Sequence, residues 1–342
     1  MMKDFLFGKT LNELTEIVSQ LALPRFAAKQ IADWLYKKRV KTIAEMTNIS
    51  LENRQKIEEK FDIGVSFPSK NQISADGTKK YLFEINHNKK AFIESVYIPE
   101  PDRATLCVSS QAGCKMACKF CMTGRQGFQS NLTAGEILNQ ICSIPDSDSL
   151  TNVVYMGMGE PFDNIENVLK SLEIITSDYG FAWSPKRVTV STIGIIPAMT
   201  EFINKSKCHL AISLHNPFDD ERLQLMPLQK KYPVGDIIKT LRDYDFSHQR
   251  RLSFEYIMFD KVNDTLRHSE ALAKLLHELD CRVNLIRFHQ IPDSDLRPSK
   301  IENIEKFQKY LNSKNILTTL RASRGTDILA ACGMLSTQEI CY

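Results

Sequence analysis

No apolar run in this 342-residue sequence approaches the roughly 18 residues that a membrane-spanning helix needs. That excludes a helical membrane protein. The start, MMKDFLFGKTL, is polar and charged and lacks the layout of a secretory leader, so a soluble, cytoplasmic protein is expected. Charge of one sign is scarce as well. Against 44 Lys and Arg stand 41 Asp and Glu, a net of +3 that permits a nucleic-acid partner without demanding one. The nine cysteines have no oxidising compartment implied for them, so clustering among them signals metal binding or catalysis rather than a disulfide scaffold. Two further absences narrow the metal. There is no second C-x2-C pair, and no histidine follows Cys121 within thirty residues, so a closed four-ligand zinc site has no obvious fourth partner.

What is present is the stretch GCKMACKFCMTGRQGF at 113–128, with Cys114, Cys118 and Cys121 spaced C-x3-C-x2-C among the small residues Gly113, Ala117 and Gly124. A cubane [4Fe-4S] cluster normally takes four cysteines. Three leave one iron with an open coordination position. Zinc and three buried free thiols are the alternatives. The spacing, with Phe120 just before the third cysteine, resembles the radical S-adenosylmethionine (SAM) enzymes. The resemblance implies that the open iron chelates SAM and that one electron cleaves it to a 5′-deoxyadenosyl radical.

Around this stretch the chain divides into three parts: 1–75, a small helical module with a possible RNA-binding role; 76–106, a β-hairpin connector; and 107–342, the remainder. Apolar residues recurring at three and four predict three amphipathic helices, LNELTEIVSQLAL, FAAKQIADWLYKKR and TIAEMTNISLENRQKIEEKF. The second ends in Lys37, Lys38, Arg39 and Lys41 beside Trp34 and Tyr36, either a grip for phosphates and bases or a solvated helix end. KKYLFEI and FIESVYIP, joined at HNKK, alternate with period two and read as a hairpin feeding the strand RATLCVSS. Beyond the cysteines, NVVYMG, RVTVST, HLAISLH, LSFEYIMF, RVNLIRFH and TTLRAS alternate with helical stretches. This predicts an α/β fold, a partial (β/α)6 radical SAM barrel with a small N-terminal helical domain, too short for a closed eight-unit barrel.

Ligands of such sheets sit at the carboxyl ends of the strands. There the sequence places Gly157, Gly159 and Glu160 in YMGMGEP, Ser191 in VSTIG, Ser213, Leu214 and His215 in AISLHNP, and His289 after RVNLIRF. Each serine alone could be an ordinary strand terminus or helix cap. By resemblance, Gly159 and Glu160 hold the SAM ammonium, and Ser191, Ser213, Leu214 and His215 contact its ribose and carboxylate. His289 stands where related sequences often have asparagine.

Of the other cysteines, Cys142, Cys208 and Cys281 read as small buried hydrophobes and Cys341 as an exposed tail residue. Cys107 and Cys332 lie in more telling words. RATLCVSSQ-x-GC, CMTG, GMGEP, STIG, SLH and AACG together resemble, over essentially the whole chain, the family of ribosomal and transfer RNA adenine-C2 methyltransferases called RlmN, with the adenine-C8 methyltransferases of the Cfr type, which share most of these motifs, as the alternative. The resemblance implies a methyl carried on Cys332, a transient Cys107–Cys332 disulfide that releases the product, and Glu94 as proton acceptor. Glu94 could equally be an exposed strand residue. It also implies a [4Fe-4S] cluster and SAM as cofactors, 23S rRNA and tRNA as substrates, an electron donor such as flavodoxin or ferredoxin, and a monomer. A non-catalytic iron–sulfur RNA-binding protein is the reading from another class. From the residues alone, the basic helix end, lysines 79–80 and 89–90, and Arg103, Lys115, Lys119 and Arg125 make a structured nucleic acid plausible, with Arg125 and its neighbours steering it.

Overall fold

The computed structural model describes residues 3–85, 91–247 and 250–337. It opens with the short strand β1 (Asp4–Phe5), then α1 (Leu11–Gln20), whose Thr10 and Glu13 form a capping box. Next, α2 (Ala27–Ala32) continues as a single π turn over Asp33–Lys37. The expected third helix is broken in two. A 3-10 turn at Ile43–Glu45 ends at Met46, and α3 (Leu51–Lys60) starts afresh where the Ser50 side chain accepts the Asn53 N–H. The Thr-Asn-Ile-Ser stretch between them offers side-chain oxygens that compete for backbone donors, which favours a cap over continuation. A strand β2 (Phe61–Asp62), not anticipated from the sequence, pairs in parallel with β1.

The antiparallel part follows as β3 (Lys70–Ile73), β4 (Lys79–Ile85), β5 (Ala91–Glu100) and β6 (Arg103–Cys107). The turn expected at HNKK, with Lys89 and Lys90, lies outside the described residues, as does Cys341. Past β6, β7 (Gln111–Gly113), α4 (Met122–Gln126) and β8 (Phe128–Asn131) bracket the cysteine motif. Then come α5 (Ala134–Cys142), β9 (Asn152–Tyr155), α6 (Ile165–Thr176), β10 (Val188–Thr192), α7 (Ile196–Lys205), β11 (His209–Ser213), α8 (Asp219–Leu225), α9 (Val234–Arg242), β12 (Leu252–Met258), α10 (Leu266–Leu275), β13 (Cys281–Arg287), α11 (Ile301–Ser313) and β14 (Leu317–Arg321).

Ten of these strands form one sheet in the order β14-β13-β12-β11-β10-β9-β6-β5-β4-β3, parallel from β14 to β6 and antiparallel from β6 to β3, while β7 pairs with β8 apart from it. Helical crossovers join the parallel strands, giving six β/α units closed by a seventh strand. The sheet stays open because its edges, β14 and β3, do not pair with each other. β12, LSFEYIM, is buried at every position, as a strand covered on both faces must be. Among the described residues no helix is long and apolar enough to cross a membrane.

The N-terminal module shares its apolar core with the barrel. Tyr36 is 1 % exposed, its ring packed on Phe7 at 5.6 Å and Phe181 at 6.1 Å. It is therefore a core residue and cannot stack on a base. Near it the chain passes so close to α5 that a Cβ on Gly135 would stand 2.5 Å from the Phe7 carbonyl oxygen. Gly135→Ala is expected to cost about 1–3 kcal/mol, because backbone rather than a flexible side chain must move. A thermal midpoint lowered by several degrees, with faster proteolysis of the first thirty residues or so, is the expected outcome. An unchanged midpoint would refute the close-packing account.

Candidate active site at the carboxyl rim of the parallel strands

The loop after β6 coils back because Gly113 has φ of +71° and its Cα lies against the Gly127 carbonyl, where any side chain would collide. Ala117 also takes a left-handed φ of +52°, and Gly124 lies close to the Cys118 amide. This turns Cys114, Cys118 and Cys121 toward one cavity of about 570 Å³. Phe120 packs edge-on against His215 at 4.9 Å and touches Phe259. Burial pushes the Cys114 thiol up to about 12 and Cys118 well above the ordinary range, and ionised neighbours push both further. As neutral thiols they are poor ligands. A polynuclear cation that takes their protons relieves both burial and repulsion, so these residues fit an iron–sulfur cluster. Among the described residues, no three His, Cys, Asp or Glu side chains converge where a single ion could be held. Each iron corner of a cubane asks for its own thiolate, which is a wider arrangement.

Opposite this loop, the strand ends supply the rest of the cavity wall. Glu160 is 4 % exposed, and its carboxylate accepts the Thr192 hydroxyl at 2.5 Å, the Ile193 N–H at 3.0 Å and the Phe162 N–H at 3.1 Å. Those donors fix it, yet burial still raises its pKa to about 7. Gly159, Ser191, Ser213 and His289 line the same cavity; the Ser191 and Ser213 hydroxyls stand 3.5 Å apart, and His289 Nε2 is 2.8 Å from Ser323 Oγ. His215, at φ +58°, accepts the Ile257 N–H on Nδ1, so its Nε2 carries the proton. Burial and the Arg222 charge pull its pKa down to about 3. It is a neutral donor at physiological pH. Leu214 is fully buried and does not line the cavity; only its backbone takes part, donating to Glu255 O and accepting from Arg222.

Cys107, at the end of β6, and Cys332, past β14, line this cavity too. Burial holds the Cys107 thiol up at about 12; Cys332 is exposed on its loop, yet the protein packed around its sulfur raises it too, whereas the Arg321 guanidinium works in the other direction on both. Arg321 itself is fixed by Glu255 at 3.2 Å. The loop carrying Cys332 is stitched down on two sides. Asp76 and Asp327 tie its start to the β3–β4 turn. Its end is held by Met122 N–H to Gly333 O, Thr123 to Leu335 O, and Ser336 N–H to Glu94. Glu94 is thus buried, not an exposed strand residue. It also pairs with Lys80 at 2.9 Å, and it stands behind the loop rather than on the cavity wall.

Several residues expected to contact a nucleic acid have partners within the protein and remain solvent-accessible. Lys79 pairs with Asp146, Lys115 with Asp163, Lys37 and Lys38 with Asp33, and Arg39 with Asp148. Arg125, expected to steer a nucleic acid, donates to the carbonyls of Lys119, Pro292 and Asp293. Lys38 covers the Trp34 ring at 3.5 Å. Arg103 does reach the cavity. Sequence reasoning missed Glu255, Arg321 and Arg222. The first carries a signal, a lone acid inside an apolar strand. Arg321 ends a strand at the site's rim. Arg222, in DDERLQL, reads as one charge among several on a solvated helix, yet it is buried.

Residues 108–276 match the radical SAM superfamily, and residues 5–63 match the ribosomal RNA large subunit methyltransferase N-terminal domain. A "probable dual-specificity RNA methyltransferase RlmN" of Parabacteroides distasonis is 58% identical, covering 98% of this chain and 97% of its own. The "dual-specificity RNA methyltransferase RlmN" of Syntrophus aciditrophicus is 42% identical over 97% of this chain and 96% of its own. A crystal structure of a radical SAM methyltransferase from Sphaerobacter thermophilus superposes with a TM-score of 0.91 at 37% identity, covering 98% of this chain and all of that one. With relatives this similar over nearly its whole length, the chain belongs to the RlmN family of the radical SAM superfamily.

Proposed function

We propose that the chain methylates carbon 2 of adenosine in 23S rRNA and, 3′ of the anticodon, in tRNA. Family membership implies an iron–sulfur cluster and SAM as cofactors and RNA as the substrate class. The observation that carries the reading is that Cys107 and Cys332 share one cavity wall with Cys114, Cys118, Cys121 and Glu160. The carbon-8 alternative is not favoured, since the similar relatives bear the RlmN name.

Carbon 2 lies between two ring nitrogens and is too electron-poor to displace the methyl of SAM directly. Cys114, Cys118 and Cys121 would hold the cluster, which would supply the one electron needed to open SAM to a 5′-deoxyadenosyl radical. The Cys332 sulfur takes a methyl from a first SAM by displacement. That methyl gives a hydrogen atom to the radical made from a second SAM, and its carbon joins the adenine, so that a methylene bridges protein and RNA; besides the carbon-2 proton the adduct must lose its one unpaired electron, which the oxidised cluster would take back. Glu94 accepts the carbon-2 proton. Because it is held by Lys80 and the Ser336 N–H, the Cys332 loop must shift before it reaches the base. The Cys107 thiolate attacks the sulfur of Cys332; the methylene leaves with the electron pair, is protonated to methyl, and a disulfide remains for reduction. Arg321, beside both sulfurs, favours the thiolates this exchange uses.

The test is mass spectrometry of digested rRNA and tRNA from cells with and without the gene. Loss of 2-methyladenosine is expected, and loss of the 8-methyl isomer would overturn the regiochemistry. Cys332→Ala is expected to be inactive and free of RNA, whereas Cys107→Ala should accumulate RNA bound through a reductant-resistant thioether on the Cys332 peptide. An adduct on the Cys332→Ala protein would end this division of roles.

Glu160 generates a pH prediction. Its folded-state pKa near 7 leaves it largely protonated below neutrality, and the SAM ammonium needs the carboxylate. Binding below pH 7 must therefore release a proton, and SAM affinity should fall by up to about tenfold per pH unit as pH drops from 7 toward 5. Above pH 7 it should level off. Glu160→Gln should bind more weakly with no such slope; a wild-type affinity flat from pH 5 to 8 would remove Glu160 from the ammonium site.

A further inference from the structure

Arg222 is 1 % exposed, and its guanidinium meets only neutral acceptors. Nε donates to Leu214 O at 2.9 Å; one terminal nitrogen donates to Ile193 O at 2.9 Å and Ser213 O at 3.0 Å, the other to Gln229 Oε1 at 2.5 Å. Among the described residues no carboxylate is in contact with it. Asp219 is reached only through Gln229, whose amide donates to the Asp219 carboxylate. A cation buried without a counter-ion is strongly destabilising. Hydrogen bonds to carbonyls satisfy its N–H groups but bring no charge into contact, and Asp219 helps only at one remove, so a nearer anion should lie opposite.

The surroundings say which. Arg222 sits on α8, and the last residue of that helix, Leu225, accepts the backbone N–H of Lys119, between Cys118 and Cys121. Leu225, Met226 and Ile193 pack in one apolar cluster with Cys114, Met116, Cys118 and Phe120. Of the other groups that interact with Arg222, Asp219 also favours the cation, though less than Cys118 does, and His215 is neutral. The ionised Cys118 is the group whose charge most favours the Arg222 cation, and the influence is mutual.

We propose that Arg222 is the counter-charge of the cysteine-bound iron–sulfur cluster, a positioning residue that raises the cluster's reduction potential and so lets a biological donor deliver the electron. The inference rests on the cluster reading given above. Reduction adds one negative charge to a group already rich in thiolate, in a medium that screens poorly. A fixed cation beside Cys118 therefore stabilises the reduced form more than the oxidised one. The carbonyls it grips end β10 and β11, where Ser191 and Ser213 stand. One side chain thus couples the cluster's charge to the shape of the strand ends.

The experiment is a potentiometric titration of the anaerobically reconstituted full-length protein without SAM, followed by electron paramagnetic resonance of the reduced cluster, with iron and sulfide counted on each sample. Wild type with about four iron per chain secures the cluster reading; a wild type that binds none would end that reading and this inference with it. Arg222→Gln, fully loaded, is expected to titrate at a more negative potential. Arg222→Lys, which keeps the charge and loses the fork, should stay near wild type. Asp219→Asn removes the carboxylate that faces Arg222 through Gln229, while its amide oxygen can still accept from Gln229 and the carbonyl contacts of Arg222 are kept, and it should shift the potential positively. It covers the case in which Arg222→Gln fails to fold. Loaded Arg222→Gln or Asp219→Asn at the wild-type potential would overturn the proposal. So would equal shifts in Arg222→Gln and Arg222→Lys, which would assign the effect to the carbonyl grip alone.

Discussion

Parallel pairing from β14 to β6 brings the carboxyl ends of seven strands to one rim, and everything else about the site follows from that register. The cysteine loop leaves the end of β6, the Glu160 turn leaves β9, the serines close β10 and β11, and the Cys332 loop leaves β14. Residues more than two hundred positions apart in sequence, such as Cys107 and Cys332, meet across a single cavity. No local preference could bring them together. A parallel sheet does it because each helical crossover resets the next strand to the same direction.

The rim is also where the protein concentrates buried charge. The Cys114 and Cys118 thiols, the Glu160 carboxyl and the Arg222 guanidinium all lie in a poorly screening interior, and burial moves the pKa of each away from its ordinary value. Such groups are costly unless they answer one another or a ligand. His215 is kept neutral with its donor tautomer fixed by a backbone amide, and Glu255 pairs with Arg321. The thiols and Arg222 make sense as opposite sides of one electrostatic arrangement.

The Cys332 loop shows how the antiparallel strands serve the site. Asp76 and Ser74, on the β3–β4 turn, hold the loop's start, and Glu94 on β5 holds its end at Ser336. The three strands that extend the sheet beyond the parallel part therefore brace the loop on which the proposed methyl carrier rides.

Much of this was legible in the residues. The C-x3-C-x2-C spacing, the glycines that let the loop coil, the strand-ending GMGEP and SLH words, and the apolar periods of the β/α units are local features, because short-range sterics and side-chain patterning act over a few residues. Other expectations yielded to packing. Tyr36 reads as a surface aromatic beside lysines but is drawn into the core by Phe7 and Phe181. Arg125 is exposed, as a nucleic-acid contact would be, and loop carbonyls fix its orientation. Arg222 sits in a run of charges that looks solvated and is buried beneath the strand ends. By itself the sequence determined which segments become strands, helices and a cysteine loop. Only the tertiary structure decided which charges are buried and what faces them, because burial and counter-charge depend on neighbours distant in the chain.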